Sequence, residues 1–314
     1  MLHTFSPDAK EEIASYYHEN GYAIVKGLIS KALIDRFLIG YNELKQKSNY
    51  IVRAQDTNRP EKLYVNQQGF IEHSLWNPHE MVFCDSFSSG IFDIITQKNI
   101  TDILTAITAE QKQTLWQSMF FDKSTGTVAH QDHYYLDTDP IGGVVGVWIA
   151  VEDIDPKAGP FYVCPKTHLS TISSRDADHN DGYVNAVAKY MNENKIERLA
   201  CPIQKGDVIF WHSLTIHGSF ENQDASFSRK SITAHYFPSK YTQLGAKNAG
   251  GVVPKPATMA TPNPNLEQWQ SSDLKRKITY LRKSARYFIN TITNKPVTTE
   301  MKTKDGKYIG EKVE

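Results

Sequence analysis

The sequence is short of the features that mark secreted, membrane-spanning or nucleic-acid-binding chains. Its 314 residues include three cysteines, Cys84, Cys164 and Cys201, an odd number at wide spacing that forms neither a disulfide framework nor a zinc knuckle and suits a reducing compartment. Neither sign of charge is in excess: 35 Lys and Arg stand against 35 Asp and Glu, so there is no global field to draw in nucleic acid or an anionic bilayer. The longest apolar run, Ile141 to Val151, is too short to span a bilayer, and the opening Met1 to Pro7 has neither the basic start nor the apolar core of a leader. No internal repeat is present. The expectation is a cytoplasmic protein whose partner is a small molecule, with no nucleic acid and no membrane; oligomeric state leaves no mark on the sequence.

What is present changes character along the chain. Ser6-Pro7 reads as cap and first residue of a helix carrying Ile13, Tyr16 and Tyr17 and stopping at Gly21, and a second helix starts near Ser30 with Leu33, Phe37, Leu38 and Tyr41 at helical spacing. From Leu115 to Phe237 short runs rich in Val, Ile, Phe, Trp and Tyr are broken by Gly, Pro and Asp, as in a small antiparallel β fold such as a jelly roll, with a helical insert near Val184 to Asn194. The chain therefore reads as one domain over 1–314: helices over about 6–110, a β core over about 113–240, a loop and helix over about 241–295, and a polar tail over 296–314. Two irregular stretches, Arg53 to Pro60 and the Gly- and Pro-rich Tyr241 to Asn265, are candidate substrate covers. Beyond them Leu274, Ile278, Leu281, Ala285 and Phe288 form an apolar stripe on a helix otherwise crowded by Lys275, Arg276, Lys277, Arg282, Lys283 and Arg286, either a solvated face or a surface for an anionic substrate or partner.

Chemistry concentrates in the β region. His130-Gln131-Asp132 places an imidazole and a carboxylate two residues apart, which an extended strand points to one face. His217 ends the apolar run Asp207 to His217, which reads as strand, turn, strand. Two imidazoles and a carboxylate leave three adjacent positions open, the arrangement expected for non-haem Fe(II) that binds a cosubstrate and oxygen together. His179-Asn180-Asp181 repeats the spacing, but in a polar stretch that reads as a solvated loop. His212 competes with His217 for the distal position and falls on the opposite strand face if the run is straight.

Taken in order, His130-Gln131-Asp132, Trp148 to Asp153, Gly159-Pro160, Pro165 to His168, Gly206-Asp207-Val208, His217-Gly218-Ser219 and Arg229 resemble the landmarks of the phytanoyl-CoA dioxygenase family of Fe(II)- and 2-oxoglutarate-dependent oxygenases, over roughly residues 5–240. The departure is Lys166, where the family's Pro-Gly-Ser-His motif has glycine. The resemblance implies a double-stranded β-helix of the jelly-roll, cupin-like kind, mainly β with flanking helices. It implies Fe(II) on His130, Asp132 and His217, 2-oxoglutarate as cosubstrate, and molecular oxygen. It further implies that Arg229 grips the far carboxylate of 2-oxoglutarate through a fork of parallel hydrogen bonds, with Ser219 and Trp148 lining that pocket and Lys230 as the exposed neighbour on the other strand face. Because Asp132 is present, hydroxylation is favoured over halogenation, for which relatives replace this carboxylate by a small residue. The implied reaction hydroxylates an unactivated carbon of a metabolite or natural-product intermediate with release of succinate and CO2. Gln131, His133, Tyr134 and Tyr135, beside the ligands, are candidate substrate contacts, and His235, which shares strand parity with Arg229, is another. A hydroxylase of protein side chains, supported by the basic helix, and a cupin-like metal isomerase or hydrolase with no use for Arg229 are the alternatives.

Overall fold

The computed structural model describes residues 3–47, 49–57, 59–172, 180–201, 203–247, 251–254 and 273–293. In chain order the helices are α1 (Lys10–Asn20), α2 (Lys31–Lys45), α3 (Asp85–Ile95), α4 (Lys98–Thr108), α5 (Asn180–Glu193) and α6 (Asp273–Thr293). The strands are β1 (Tyr22–Val25), β2 (Ile51–Arg53), β3 (Pro60–Lys62), β4 (Leu75–Trp76), β5 (Gln113–Phe121), β6 (Leu136–Asp139), β7 (Val145–Ala150), β8 (Phe161–Val163), β9 (Leu199–Ala200), β10 (Val208–His212), β11 (His217–Ser219), β12 (Ser231–Pro238), β13 (Thr242–Lys247) and β14 (Gly251–Pro254). No described helix is long and apolar enough to cross a membrane.

Local signals act where they stand in the sequence. Gly21 ends α1 in the left-handed conformation, its N–H returning to the Tyr17 carbonyl at 2.7 Å. Ser30 caps α2, its hydroxyl taking the Leu33 N–H at 3.3 Å. Helix α1 begins later than Ser6-Pro7 suggests, at Lys10, because residues 6–9 close a separate turn from Ala9 N–H to the Ser6 carbonyl. At the family's glycine position Lys166 takes φ 65. The turn is thus kept at a left-handed cost of roughly 1–2 kcal/mol.

A six-stranded antiparallel sheet, β1-β10-β7-β12-β5-β4, is the backbone of the molecule, and a three-stranded sheet, β11-β8-β9, faces it. Alternation along the strands sorts residues to two cores. Ala23, Val25, Val147, Ile149, Phe210, Ile232 and Ala234 point one way and bury the helices through Ile13, Tyr17, Ile34, Phe37, Ile91 and Leu104. Tyr22, Ile24, Trp148, Ile209 and Trp211 point the other way and meet Phe161 and Val163 of the small sheet. The space between the sheets is where the candidate ligands lie.

Two readings of irregular structure need correction, and the last helix docks by its polar side. Within 241–265, β13 and β14 pair with each other and β13 with β6, so this part is a sheet extension and not a loop; residues 248–250 and 255–265 lie outside the described residues. The 53–60 stretch closes a β2–β3 hairpin and is pinned by Arg53 over the Trp76 ring at 3.9 Å and by Asp56 against His73 at 2.9 Å. The apolar stripe of α6 is not its docking side: Leu274, Leu281 and Phe288 are 70%, 60% and 55% exposed. The helix instead docks through Arg276, which donates to the Glu80 and Met81 carbonyls, and Tyr280, whose ring lies 5.0 Å from Tyr50.

Two buried histidines make stability pH-dependent. Burial pushes His79 down from 6.5 to about 3, and burial together with neighbouring His168 pushes His212 down to about 4. Above pH 6.5 both are neutral folded and unfolded. Below it the unfolded chain takes protons that the fold refuses, so stability should fall as pH drops toward 4, by up to about 1.4 kcal/mol per pH unit for each histidine. Denaturant unfolding between pH 7 and 4.5 measures this, and His212→Asn should flatten the slope. An equally steep slope in that variant would exclude His212 as a source.

Candidate metal and cosubstrate site

His130 and His217 face each other as an antiparallel backbone pair, exchanging N–H···O bonds of 3.1 and 3.0 Å, and their rings sit 4.3 Å apart. Gln131 is extended (φ −105, ψ 133), but Asp132 opens a short 3-10 turn where the sequence suggested continuing strand. One extended step is enough to bring both side chains to the same side. The ligand atoms of His130, Asp132 and His217 all lie within 4.8 Å of one another, with each imidazole Nε2 at 3.6 Å from Asp132 Oδ1.

Surrounding groups orient all three. His130 Nδ1 donates to the Val128 carbonyl at 2.8 Å and His217 Nδ1 to the Thr215 carbonyl at 2.9 Å, which leaves both Nε2 lone pairs aimed at the common centre. Burial, partly opposed by the Asp132 charge, drops His217 to about 4, so it presents a neutral imidazole. Burial alone would raise the Asp132 carboxyl, but His217, His235 and the hydrogen bonds around it hold it well below the usual range. Its second oxygen, Oδ2, accepts the indole N–H of Trp211 at 2.8 Å and faces His235 Nε2 at 3.1 Å. The donor set is thus two imidazoles and one carboxylate with a single forward oxygen, which fits a divalent iron that keeps positions open.

Arg229 lies just before β12 and is 2% exposed. Nη1 donates to the Gly159 carbonyl at 3.3 Å, Nε has no hydrogen-bond partner, and among the described residues no carboxylate pairs with it. Phe121 and Trp148 flank the guanidinium, with ring centres 5.7 and 5.8 Å away. Burial lowers it to about 10, so it remains a cation at neutral pH. A buried charge without a counter-charge costs several kcal/mol, and an anionic ligand removes that cost. Ser219, also buried, receives the Thr127 N–H at 2.8 Å and lies 3.3 Å from the Ser124 hydroxyl; Trp148 stacks on Phe161.

Lys230 does point away from Arg229, but it is not exposed. It pairs with Glu152 at 2.9 Å and lies 3.7 Å from buried Asp122. Strand parity gave the side and not the depth. Gln131 is buried, and its amide is engaged within the protein: it donates to the Ser170 and Leu214 carbonyls and accepts from Ile172 N–H. His133 is engaged by Asp137 at 2.7 Å. Tyr134 stacks flat on Tyr183 at 3.8 Å, whereas Tyr135 sets its ring against His130 at 5.7 Å and stays beside the site. His235 touches Asp132, beside the candidate metal ligands. His212 is turned away, accepting from Leu214 N–H, and His179 lies outside the described residues.

Trp211 and Gly146 escaped the sequence reading. A Cβ on Gly146 would lie 2.1 Å from the Trp211 ring, so this glycine provides the socket from which the indole reaches Asp132. The only trace in the sequence is alternation, which gives Trp211 the parity of Ile209 without saying which side holds the site.

The family model for phytanoyl-CoA dioxygenase matches residues 17–231. The peroxisomal phytanoyl-CoA dioxygenase of Bos taurus is 28% identical over 240 residues, spanning 72% of this chain and 67% of the relative. Phytanoyl-CoA dioxygenase domain-containing protein 1 of Mus musculus is 24% identical over 241 residues, 74% of this chain and 71% of its own. Among solved structures, the epimerase SnoN in complex with Fe3+, alpha ketoglutarate and nogalamycin RO superposes with a TM-score of 0.56 at 18% identity, covering 80% of this chain and 97% of its own. The non-heme alpha ketoglutarate dependent carbocyclase SnoK gives 0.55 at 17%, covering 77% and 89%; at these identities the likeness is one of fold. With the matched family extending over most of the sequence, the chain belongs to the phytanoyl-CoA dioxygenase family and is a dioxygenase that uses iron, 2-oxoglutarate and oxygen.

Proposed function

We propose that the enzyme hydroxylates an unactivated carbon of a small-molecule metabolite or natural-product intermediate, releasing succinate and CO2, with His130, Asp132 and His217 as iron ligands. The β region is read as a double-stranded β-helix within one domain. The observation that carries the cosubstrate assignment is the buried guanidinium of Arg229, a cation with no acid beside it among the described residues.

When bound, iron supplies the redox chemistry that couples decarboxylation of 2-oxoglutarate to oxidation of the substrate. The chain's own residues bind and orient. Arg229 offers its open N–H groups to the distal carboxylate, with Ser219 and Trp148 lining that pocket. Asp132 is held as an anion by Trp211 and His235. Phe161 and Tyr135 place rings 5.6 and 5.7 Å from those of His217 and His130, limiting water at the ligands. A metal isomerase or hydrolase leaves Arg229 without a purpose. The protein-substrate reading loses part of its basis because Arg276 of the basic helix is spent on the Glu80 and Met81 carbonyls.

Anaerobic protein given Fe(II) and 2-oxoglutarate should develop a weak visible charge-transfer band. His130→Ala and His217→Ala should abolish it and His179→Ala should leave it. A screen for substrate-stimulated succinate formation across metabolite classes then identifies the substrate. Loss of the band in His179→Ala, with retention in His217→Ala, would refute the ligand assignment.

A further inference from the structure

The residue that sets the geometry of the metal carboxylate lies outside every motif of the sequence. Asp132 Oδ2 only accepts hydrogen bonds, so the His235 nitrogen facing it at 3.1 Å, Nε2, must carry a proton. On the far side of the ring the side-chain amide of Gln117 faces Nδ1, its Nε2 at 3.4 Å, so the imidazole is held between Asp132 and Gln117. We propose that Gln117 is a positioning residue which, through His235, holds Asp132 to one ligating oxygen. This inference rests on the reading of His130, Asp132 and His217 as the iron site.

The backbone is shaped for this contact. Strand β12 pairs Ala234 with Ser118 and His235 with Gln117, and then Tyr236 with Leu115, leaving Trp116 as an extra residue on β5. In a regular strand Gln117 and Leu115 would share a face. The bulge separates them: Leu115 packs with Tyr236 in the helix-covered core, while Gln117 turns with His235 toward the metal ligands. Bulges re-aim side chains in this way, and they are frequent beside active sites.

The consequence is chemical. With Oδ2 engaged by Trp211 and His235, only Oδ1 faces the two imidazoles, at 3.6 Å from each. A carboxylate free to turn could ligate through both oxygens and fill a position that the cosubstrate or oxygen requires. Gln117 prevents that turn from behind His235, outside the group formed by His130, Asp132 and His217.

The test uses the full chain, Co(II) titration of the apoprotein and the visible ligand-field spectrum of the Co(II) form, readouts that do not depend on turnover. Gln117→Met keeps volume and removes the donor. It should weaken Co(II) binding about 10-fold, the scale of such outer contacts, and alter the spectrum, with little change in melting temperature. His235→Gln, whose amide can reach Oδ2, should retain affinity that His235→Leu loses. If Gln117→Met matches the wild type in affinity and spectrum, this inference is overturned while the metal site stands. If the wild type binds Co(II) no better than His217→Ala, the site assignment itself falls and this inference with it.

Discussion

Arg229→Ala will cost the enzyme most of its hold on 2-oxoglutarate while leaving the apoprotein no less stable. Removing one partner of a buried, hydrogen-bonded charge pair costs about 3–5 kcal/mol, or roughly two to nearly four orders of magnitude in Kd. Arg229→Lys should recover only part, because an ammonium restores charge without the planar fork. The sign of the stability change is the distinctive feature: without cosubstrate the guanidinium has no counter-charge among the described residues, so its removal relieves a burial cost. Lys230→Ala should do the reverse. It leaves Glu152 and buried Asp122 without their cation and should lower stability by about 1–3 kcal/mol with cosubstrate affinity unchanged. Calorimetric titration with 2-oxoglutarate and denaturant unfolding of the three variants measure both effects. Unchanged affinity in Arg229→Ala would sink the anchor assignment, and a damaged affinity in Lys230→Ala would mean that the strand faces are exchanged.

Gly146→Ala is the most damaging small change we expect near the metal. The new methyl would sit 2.1 Å from one ring atom of Trp211 and 2.2 Å from another, well inside any real contact. Either the indole swings out or β7 and β10 separate, and overpacking of this kind typically costs about 1–3 kcal/mol. Both responses withdraw the indole N–H from Asp132, so metal affinity should fall about 10-fold as well. A second substitution separates the two effects. Gly146→Ala combined with Trp211→Phe should regain stability, since the smaller ring leaves room, but not metal affinity, since phenyl donates nothing. Metal affinity restored by the double variant would show that the Trp211 hydrogen bond has no role in holding Asp132.

The parts of the fold and site that could be read in the sequence are those set by neighbours in the chain. Gly21 ends a helix and Ser30 starts one because both act on backbone groups within a turn. The His130, Asp132 and His217 grouping was readable because two of its members are two residues apart and the third sits in a strand–turn–strand pattern. Residues whose roles come from distant partners could not be read. The depth of Lys230 depends on Glu152 and Asp122, which arrive from other strands. The Asp132 contacts of Trp211 and His235 follow from which sheet face encloses the metal site. The β5 bulge has no local signature, because Leu115, Trp116 and Gln117 suit a regular strand equally well. On α6 the apolar stripe was visible in the spacing, but its outward direction is set by the Glu80 and Met81 carbonyls that hold Arg276.

The backbone pairing of His130 with His217 gives the metal a mechanical role. Two of the three proposed ligands are opposite members of one antiparallel bridge, so an ion shared by their imidazoles would tie together the same two segments that the bridge joins. It is a cross-link, in a chain whose three cysteines are all buried and unpaired. Binding energy at such a tie is also cohesion between segments far apart in sequence. Stripping the ion should therefore leave the β11 end of the small sheet held by the bridge's backbone hydrogen bonds with one tie fewer.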